Sequence, residues 1–548
     1  MSGSEDVGRT PVQSSHGAYD AANRFSRELA LWTPTESGAD ADILPAKSLS
    51  DARTRDSVRN DAFIASGINT HRDSIVGIRY QLNCNPNLPV LGLDDVWARE
   101  FSEEVEAKFE AWADGFYNWP DAARRKTFTE LIRQCVGIFV VNGEYLCSVE
   151  WLSRDPARFF YTAFQPIEVN RLSDPQDQRP RDNTRGGVHM SSTGRPLGYY
   201  IRRADLGYIP RFGNFSGFRN IHKWSYIRAT VSRFGPLSLR PQIIHIVDQD
   251  RPNQTRGMSQ LAAGLKELRM LKRFRDVVLQ NAVLNASFAA TIESEIPTSH
   301  LFEQFGSGNI GESSLNYAKA FLSGVAQYSD SSRNIQLDGV KIPHLFPGTK
   351  LNLNSLATPG GVGTNFEQSF LRYLAGALNI SYEELSRDYS QTTYSSARAA
   401  LNQTTVNMRA RKTFVADALA NRIFRCWFEE AVNANQIASM QSQLVPNMYD
   451  PLMMESFCRA GWIGAGRAQI DELKETQAAI LRIKMGLSTY ETEVARFGQD
   501  FRRVFQQRAR EKNLMEELGI LPPEMTDLAE LETTNRDGSD EENNRNRN

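Results

Sequence analysis

The sequence predicts an α+β chain that is mainly helical. Three observations carry that expectation: long proline-poor stretches with apolar residues at helical spacing, a middle stretch from about 155 to 255 cut into short β-like pieces by Pro, Gly, Asn and Asp, and a return to helical texture from Asn365 onward. Composition agrees. Of 548 residues, 41% are hydrophobic and 23% charged, so wholesale disorder, a collagen-like chain and a disulfide scaffold are all excluded. The length suits three or four domains or one large elaborated architecture.

Taken in order, residues 1–45 are rich in Ser, Gly, Asp, Thr and Pro and read as a flexible arm. From Ser48 to Gly77, the spacing of Val58, Phe63, Ile64, Ile68 and Ile75 predicts one amphipathic helix that feeds the strand-like IRYQLNC. Asp94 to Glu110 holds seven acids against Arg99 and Lys108, while Val96, Trp97, Phe101, Val105 and Phe109 recur at helical spacing. That pattern predicts a helix whose acids form a solvated face. In TFTELIRQCVGIFVVNGEYLCSVEW a helix is expected to pass into two strands around Asn142-Gly143, the strongest hairpin signal in the chain.

Met258 to Glu293 has Gly264 as its only helix breaker, with Leu261, Leu265, Leu268, Leu271, Val278 and Ala282 along one side. This predicts a single helix of about 50 Å. Residues 305–340 are Gly/Ser-rich with a helical insert. The strand-like VKIPHLFPGTKLNLNSL and the glycine loop ATPGGVGTN follow, then mostly helix to about 518 and a disordered tail.

Charge and motifs exclude several function classes. Lys and Arg number 63 against 65 Asp and Glu, so the whole-chain basic excess of a tight nucleic-acid binder is missing and any DNA contact must be local. The five cysteines include no C-x-x-C pair, which argues against a disulfide framework or thiolate zinc site and for folding in a reducing cytoplasm. No apolar run is long enough to span a bilayer and the first twenty residues carry no apolar signal segment, so membrane insertion and secretion are not expected.

Gly306-Ser-Gly308-Asn-Ile-Gly311 fits G-x-G-x-x-G, but no strand feeds it, so it reads as a flexible loop. Seven scattered histidines give no metal-ligand spacing, and neither a phosphate-binding G-x-x-x-x-G-K-[ST] loop nor a G-x-S-x-G elbow occurs. Glu103-Glu104 and Glu383-Glu384 are sequence neighbours whose side chains diverge on a helix, and they read as surface. No catalytic residue, metal or cofactor is expected.

Two stretches are locally basic. One holds Arg256, Lys266, Arg269, Lys272, Arg273 and Arg275 against two acids, with Lys266, Arg269 and Arg273 on one helix face. The other holds Arg398, Arg409, Arg411, Lys412, Arg422 and Arg425 against Asp417. Solvated faces or inter-subunit salt bridges explain such runs, and direct phosphate contact is the competing reading; both stay open at this point.

Several segments, taken together, are family-specific. VRNDAFIASGINTHRDSIVG (58–77), FVVNGEYLCSVEW (139–151), TRGMSQLAAGLKELRMLKRFRDVVLQNAVLNASFAATIES (255–294), KIPHLFPGTKLNL (341–353), FEQSFLRYLAGALNISYEELSRDY (366–389) and YSSARAAL (394–401), with GWIGAGRAQID (461–471) and LSTYE (487–491) beyond them, resemble in order and spacing the portal proteins of lambda-type tailed bacteriophages. The resemblance implies a portal fold of wing, stem, clip and crown that assembles into a cyclic ring of twelve, at one capsid vertex of the virion. Double-stranded DNA is packaged and ejected through the ring's channel.

By matched blocks it implies a wing at 46–160, a β-rich clip-containing module at 161–255 and the stem helix at 256–294. The chain then returns through the wing at 295–450 with a tunnel loop near 352–365, and ends in a helical crown at 451–518 and a disordered tail at 519–548. The partners it implies are further copies of the chain, DNA, the terminase large subunit, a head completion or adaptor protein, and the major capsid and scaffold proteins, in the host cytoplasm during assembly.

Candidate channel residues are Lys266, Arg269 and Arg273, with Lys350, Asn352, Asn354, Ser355 and Thr358 of the tunnel-loop region. Glycines and small polar groups there suit a loop that touches DNA without trapping it, and near-neutral composition suits a conduit, because each neutralised phosphate adds affinity that would stall the cargo. A DNA-acting enzyme and a helical scaffold or adaptor without a channel are the competing classes.

Overall fold

The computed structural model describes residues 27, 29, 31–155, 157–203, 223–235, 237–288, 319, 323, 336–337, 340–341, 360–440, 446–466 and 471–519. Two compact units are present: one runs to Leu265 and resumes at Leu374, and the other is Lys266–Tyr373.

The first unit opens with α1 (Ala39–Asn60) and α2 (Ala62–Ile75). The single helix expected from Ser48 is therefore two, and the first begins inside the stretch read as an arm. Asp61 makes the break: in extended conformation, its carboxylate accepts the Phe63 and Ile64 amides at 3.0 and 3.1 Å and restarts the helix. Strand β1 (Gln81–Cys84) and the short α3 (Leu88–Leu91) lead to α4 (Asp95–Ala113), capped by Asp94. Phe101, Val105, Phe109 and Trp112 of α4 are buried as their spacing requires, but so is Glu106, which the solvated-face reading had placed outside.

Helix α5 (Phe128–Asn142) starts with a capping box between Thr127 and Glu130. It stops at Gly143, whose φ of 74° lies in the left-handed region, and strand β2 (Glu144–Trp151) follows at once. Asn142-Gly143 is thus a helix C-terminus and not a hairpin. The dipeptide serves either end because both need a residue at positive φ.

The expected β-rich module is present as β3 (Thr162–Pro166), β4 (Thr184–Arg185), β5 (Val188–Met190), β6 (Pro196–Arg202), β7 (Trp224–Arg228), β8 (Thr230–Ser232), β9 (Leu239–Pro241) and β10 (Ile243–Val247). All pairings are antiparallel, in the orders β10-β2-β3, β4-β5-β6-β7 and β8-β9. Leu146 and Ile243 from the first sheet meet Val188, Tyr199 and Ile201 from the second in one apolar cluster.

A 3₁₀ turn over Gln260–Gly264 precedes α6 (Leu265–Phe288). The predicted long helix therefore starts at Leu265 and not at Met258, and its 24 residues give about 36 Å up to Phe288. Residues 289–294 of that prediction lie outside the described residues. A two-stranded pair, β11 (Gln336–Leu337) and β12 (Val340–Lys341), precedes α7 (Gly360–Leu378). Within the second unit, Arg275 donates through Nε to Glu367 at 3.0 Å and Phe274 meets Phe366, which joins α6 to the early part of α7.

Beyond Leu374 the first unit resumes with α8 (Tyr382–Ser386) and α9 (Tyr394–Arg411), which runs through a π-helical turn at Lys412–Asp417 into α10 (Ala418–Asn433). Helix α11 (Pro451–Phe457), strand β13 (Ala460–Ile463) and helices α12 (Glu472–Lys484), α13 (Tyr490–Arg496) and α14 (Phe501–Glu517) follow among the described residues. The all-helical expectation after 451 missed β13, which pairs antiparallel with β1, Leu82 opposite Trp462. Trp462 joins Phe109, Phe128 and Phe424 in edge-on or tilted contacts at 5.4–6.3 Å, so the late GWIG segment closes the aromatic core of the first half.

Candidate nucleic-acid interface

Two sets of charged residues stand on either side of the start of α6, one buried and one exposed. The buried set centres on Glu144, which is fully enclosed. Gly143, in its left-handed turn, delivers this carboxylate directly from the end of α5 into the core. Gly143 and Gly257 cross so closely that a Cβ on Gly257 would lie 2.0 Å from the Gly143 carbonyl oxygen, so neither position has room for a side chain.

Arg256 donates to Glu144 through Nη2 at 2.7 Å and through Nε at 3.0 Å, and its other donors go to the Leu172, Gly186 and Val169 carbonyls at 2.6–3.1 Å. Lys47 of α1 reaches Glu144 at 3.1 Å, Asp51 at 2.9 Å and the Asn142 carbonyl at 3.0 Å. His245 Nε2 lies 3.0 Å from Glu144 Oε2, and the Gly257 amide donates to the same oxygen at 3.1 Å. Burial alone would push the Glu144 carboxyl up, but Arg256, Lys47 and His245 together hold it well below the ordinary carboxylate range.

The knot extends on both sides. Asp40 accepts the Thr255 amide and hydroxyl at 2.8 and 2.6 Å, and Ser259 donates to the Val140 carbonyl at 2.8 Å while capping the 3₁₀ turn. Gln260 in that turn accepts from Asn379 at 2.9 Å and from Arg411. Arg411 also donates to His71 Nδ1 at 3.1 Å, and His71 passes its Nε2 proton toward the Leu378 carbonyl at 2.8 Å. Burial, with Arg411 beside it, lowers the His71 pKa to about 3, so the imidazole is neutral and works as a fixed hydrogen-bond bridge. The chain is thereby pinned as far as Leu265, where α6 opens.

In the second unit, Lys266, Arg269 and Arg273 sit at i, i+3 and i+7 of α6. All three are exposed and pair with no carboxylate among the described residues. Leu268 and Leu271 are buried on the opposite side of the helix. The structure therefore brings these three predicted residues together on one outward face. Arg256, counted with them in the sequence, is instead buried at Glu144, and Arg275 binds Glu367. Lys350, Asn352, Asn354, Ser355 and Thr358 lie outside the described residues, as does Gly306–Gly311.

The second basic stretch is divided: Arg398, Arg409 and Arg422 are exposed, and Arg411, Lys412 and Arg425 are half-buried. Arg411 serves His71 and Gln260, Lys412 reaches Asp417 and the Trp462 carbonyl at 2.8 Å each, and Arg422 donates to the Ala418 carbonyl at 2.8 Å. Two acids read as surface also have structural work. Glu104 accepts the Ala438 and Ser439 amides at 2.7 and 2.8 Å, and Glu384 completes a capping box with Ser381 while taking the Thr404 hydroxyl at 2.7 Å. Glu144, Lys47, His245 and Glu106 were not singled out in the sequence. The available signal was an acid at the head of an apolar strand, EYLCSV, where an unpaired charge would be costly. Among the described residues no group of three or more His, Cys, Asp or Glu side chains could hold a metal, and no helix is long and apolar enough to cross a membrane.

Comparison with known proteins gives the class to which the chain belongs, the portal proteins of tailed phages. The family model described as "Phage portal protein, lambda family" matches residues 25–412. The portal protein of Escherichia phage N15 is 35% identical over 519 residues, covering 94% of this chain and 93% of its own length. Portal protein B of Escherichia phage lambda is 33% identical over 539 residues, covering 98% of this chain and 96% of its own. This chain belongs to the lambda family of phage portal proteins. Among solved structures, chains from the neck of an empty gene transfer agent particle and from the native particle's virion align over 82% and 86% of this chain, at TM-scores of 0.37 and 0.34 and 10% and 11% identity.

Proposed function

We propose that the chain forms a ring of twelve at one capsid vertex of the virion and that double-stranded DNA passes through its channel during packaging and ejection. The observation that carries this reading is identity with two phage portal proteins along nearly the whole chain. The partners that follow are the terminase large subunit, a head completion or adaptor protein, and the major capsid and scaffold proteins met in the host cytoplasm. The ring is a passive conduit, and ATP hydrolysis belongs to the terminase.

On this reading residues 46–160 build the wing, 161–255 the clip-containing module, 256–294 the stem, 295–450 the wing return with the tunnel loop near 352–365, and 451–518 the crown. The exposed face of Lys266, Arg269 and Arg273 meets DNA phosphates as they pass. Three exposed cations per subunit that pair with no carboxylate among the described residues favour that role, and a near-neutral chain keeps the grip weak enough for movement.

Native mass spectrometry with negative-stain imaging of the purified chain tests the reading. A ring near twelve subunits with a central hole is the expected result. A monomer or dimer at high concentration would overturn the ring and favour an adaptor.

A further inference from the structure

Helix α4 separates two exposed surfaces of opposite character. At its amino end, Asp95, Glu100 and Glu103 are exposed, pair with no base among the described residues, and flank an exposed Val96. Just past its carboxyl end comes a loop in which Phe116 is 92% exposed and packs edge-on against the exposed Tyr117. Arg158 ties this loop to its neighbour: it donates to the Trp119 carbonyl at 2.7 Å, and the next residue, Phe159, is 67% exposed. The same two loop segments carry Arg125, Lys126 and Arg154, which pair with no carboxylate among the described residues.

Solvent-facing Phe and Tyr on segments that also carry Arg and Lys paired with no carboxylate among the described residues have the chemistry of an interface centre and not of a solvated loop. Along α4, Asp95 lies about 27 Å and Glu103 about 15 Å from the helix's carboxyl end at Ala113. A contact repeated by rotation needs two different complementary patches set apart on each subunit, and one end of α4 offers acids around an apolar residue where the other offers bases around aromatic ones.

We infer that the aromatic and basic surface beyond α4 docks onto the acidic amino end of α4 in a second copy of this chain. The inference rests on the ring proposed above and adds its contact residues. Closing the ring then needs no other protein at this surface, since each copy supplies both halves.

Two charge-reversed full-length chains test it by native mass spectrometry: Arg125→Glu with Arg154→Glu, and Glu100→Lys with Glu103→Lys. Each alone is expected to lose rings by at least about tenfold, through like charges facing each other at every contact. Mixed in equal amounts they are expected to recover rings of alternating composition, because altered faces then meet altered faces and native meet native. Phe116→Ser with Phe159→Ser should lose rings that no mixture restores. Normal rings from either reversed chain would overturn the inference, as would loss in both without recovery on mixing. Absence of rings from the unaltered chain would instead overturn the ring itself.

Discussion

Arg256 and Arg269 lie thirteen residues apart in one basic run, yet their surroundings are opposite. Arg256 is buried with its donors committed to Glu144 and three carbonyls, whereas Arg269 is exposed with no carboxylate beside it. The first is architecture and the second is available to a partner. Local charge counts cannot separate them, because the group that claims Arg256 sits 112 residues earlier in the chain. The lesson is that a basic run becomes informative only after its internal ion pairs are subtracted.

Removing Glu144 should give the largest effect. Glu144→Ala leaves Arg256 and Lys47 buried without their carboxylate, and a loss of about 3–5 kcal/mol is expected in denaturant unfolding. Lys266→Ala, Arg269→Ala and Arg273→Ala together should leave that unfolding curve nearly in place. If both variants unfold alike, the contrast between the two arginines is lost.

Next in size is Gly257→Ala. Its Cβ would meet the Gly143 carbonyl within 2.0 Å, so the knot must spread, at a cost of about 2 kcal/mol in the same assay.

Acid sharpens the comparison further. Because the folded Glu144 carboxyl titrates well below its ordinary value of 4.5, its contribution is full above that value and is lost as pH falls through the folded pKa. Glu144→Gln should therefore flatten the acid limb of a stability profile. Glu106 runs the other way. Burial pushes it up to about 7 against the Cys84 amide and Arg502, so the folded state binds its proton more tightly than the unfolded chain does. Its contribution is full below 4.5 and declines as pH rises towards 7. Glu106→Gln should remove that decline, which is on the order of 3 kcal/mol.

The smallest change in stability should come from the exposed face. The triple alanine variant is expected to unfold within about 0.5 kcal/mol of the parent while packaged DNA and phage titre fall. An unchanged titre would remove Lys266, Arg269 and Arg273 from function.

These contrasts mark how far the sequence could be read. Periodicity found the buried face of α4 through Phe101, Val105, Phe109 and Trp112, because a helix that packs on one side repeats its apolar residues locally. It also found the shared face of Lys266, Arg269 and Arg273, a matter of spacing alone. It failed at Asp61, a helix cap that was read through as helix interior, and at Asn142-Gly143, a pair common to two kinds of boundary that was assigned to the wrong one. The Glu144 cluster stayed hidden for another reason. Lys47, Glu144, His245 and Arg256 come from four separate segments, and only the folded chain places them within 3.1 Å of one carboxylate.

The most direct test places a photoreactive side chain at position 269 in assembled particles and irradiates them after packaging. A covalent product with DNA is expected if Arg269 lines the channel as proposed. A product with a neighbouring subunit alone, in particles filled with DNA, would contradict a DNA-facing helix and assign Lys266, Arg269 and Arg273 to contacts within the ring.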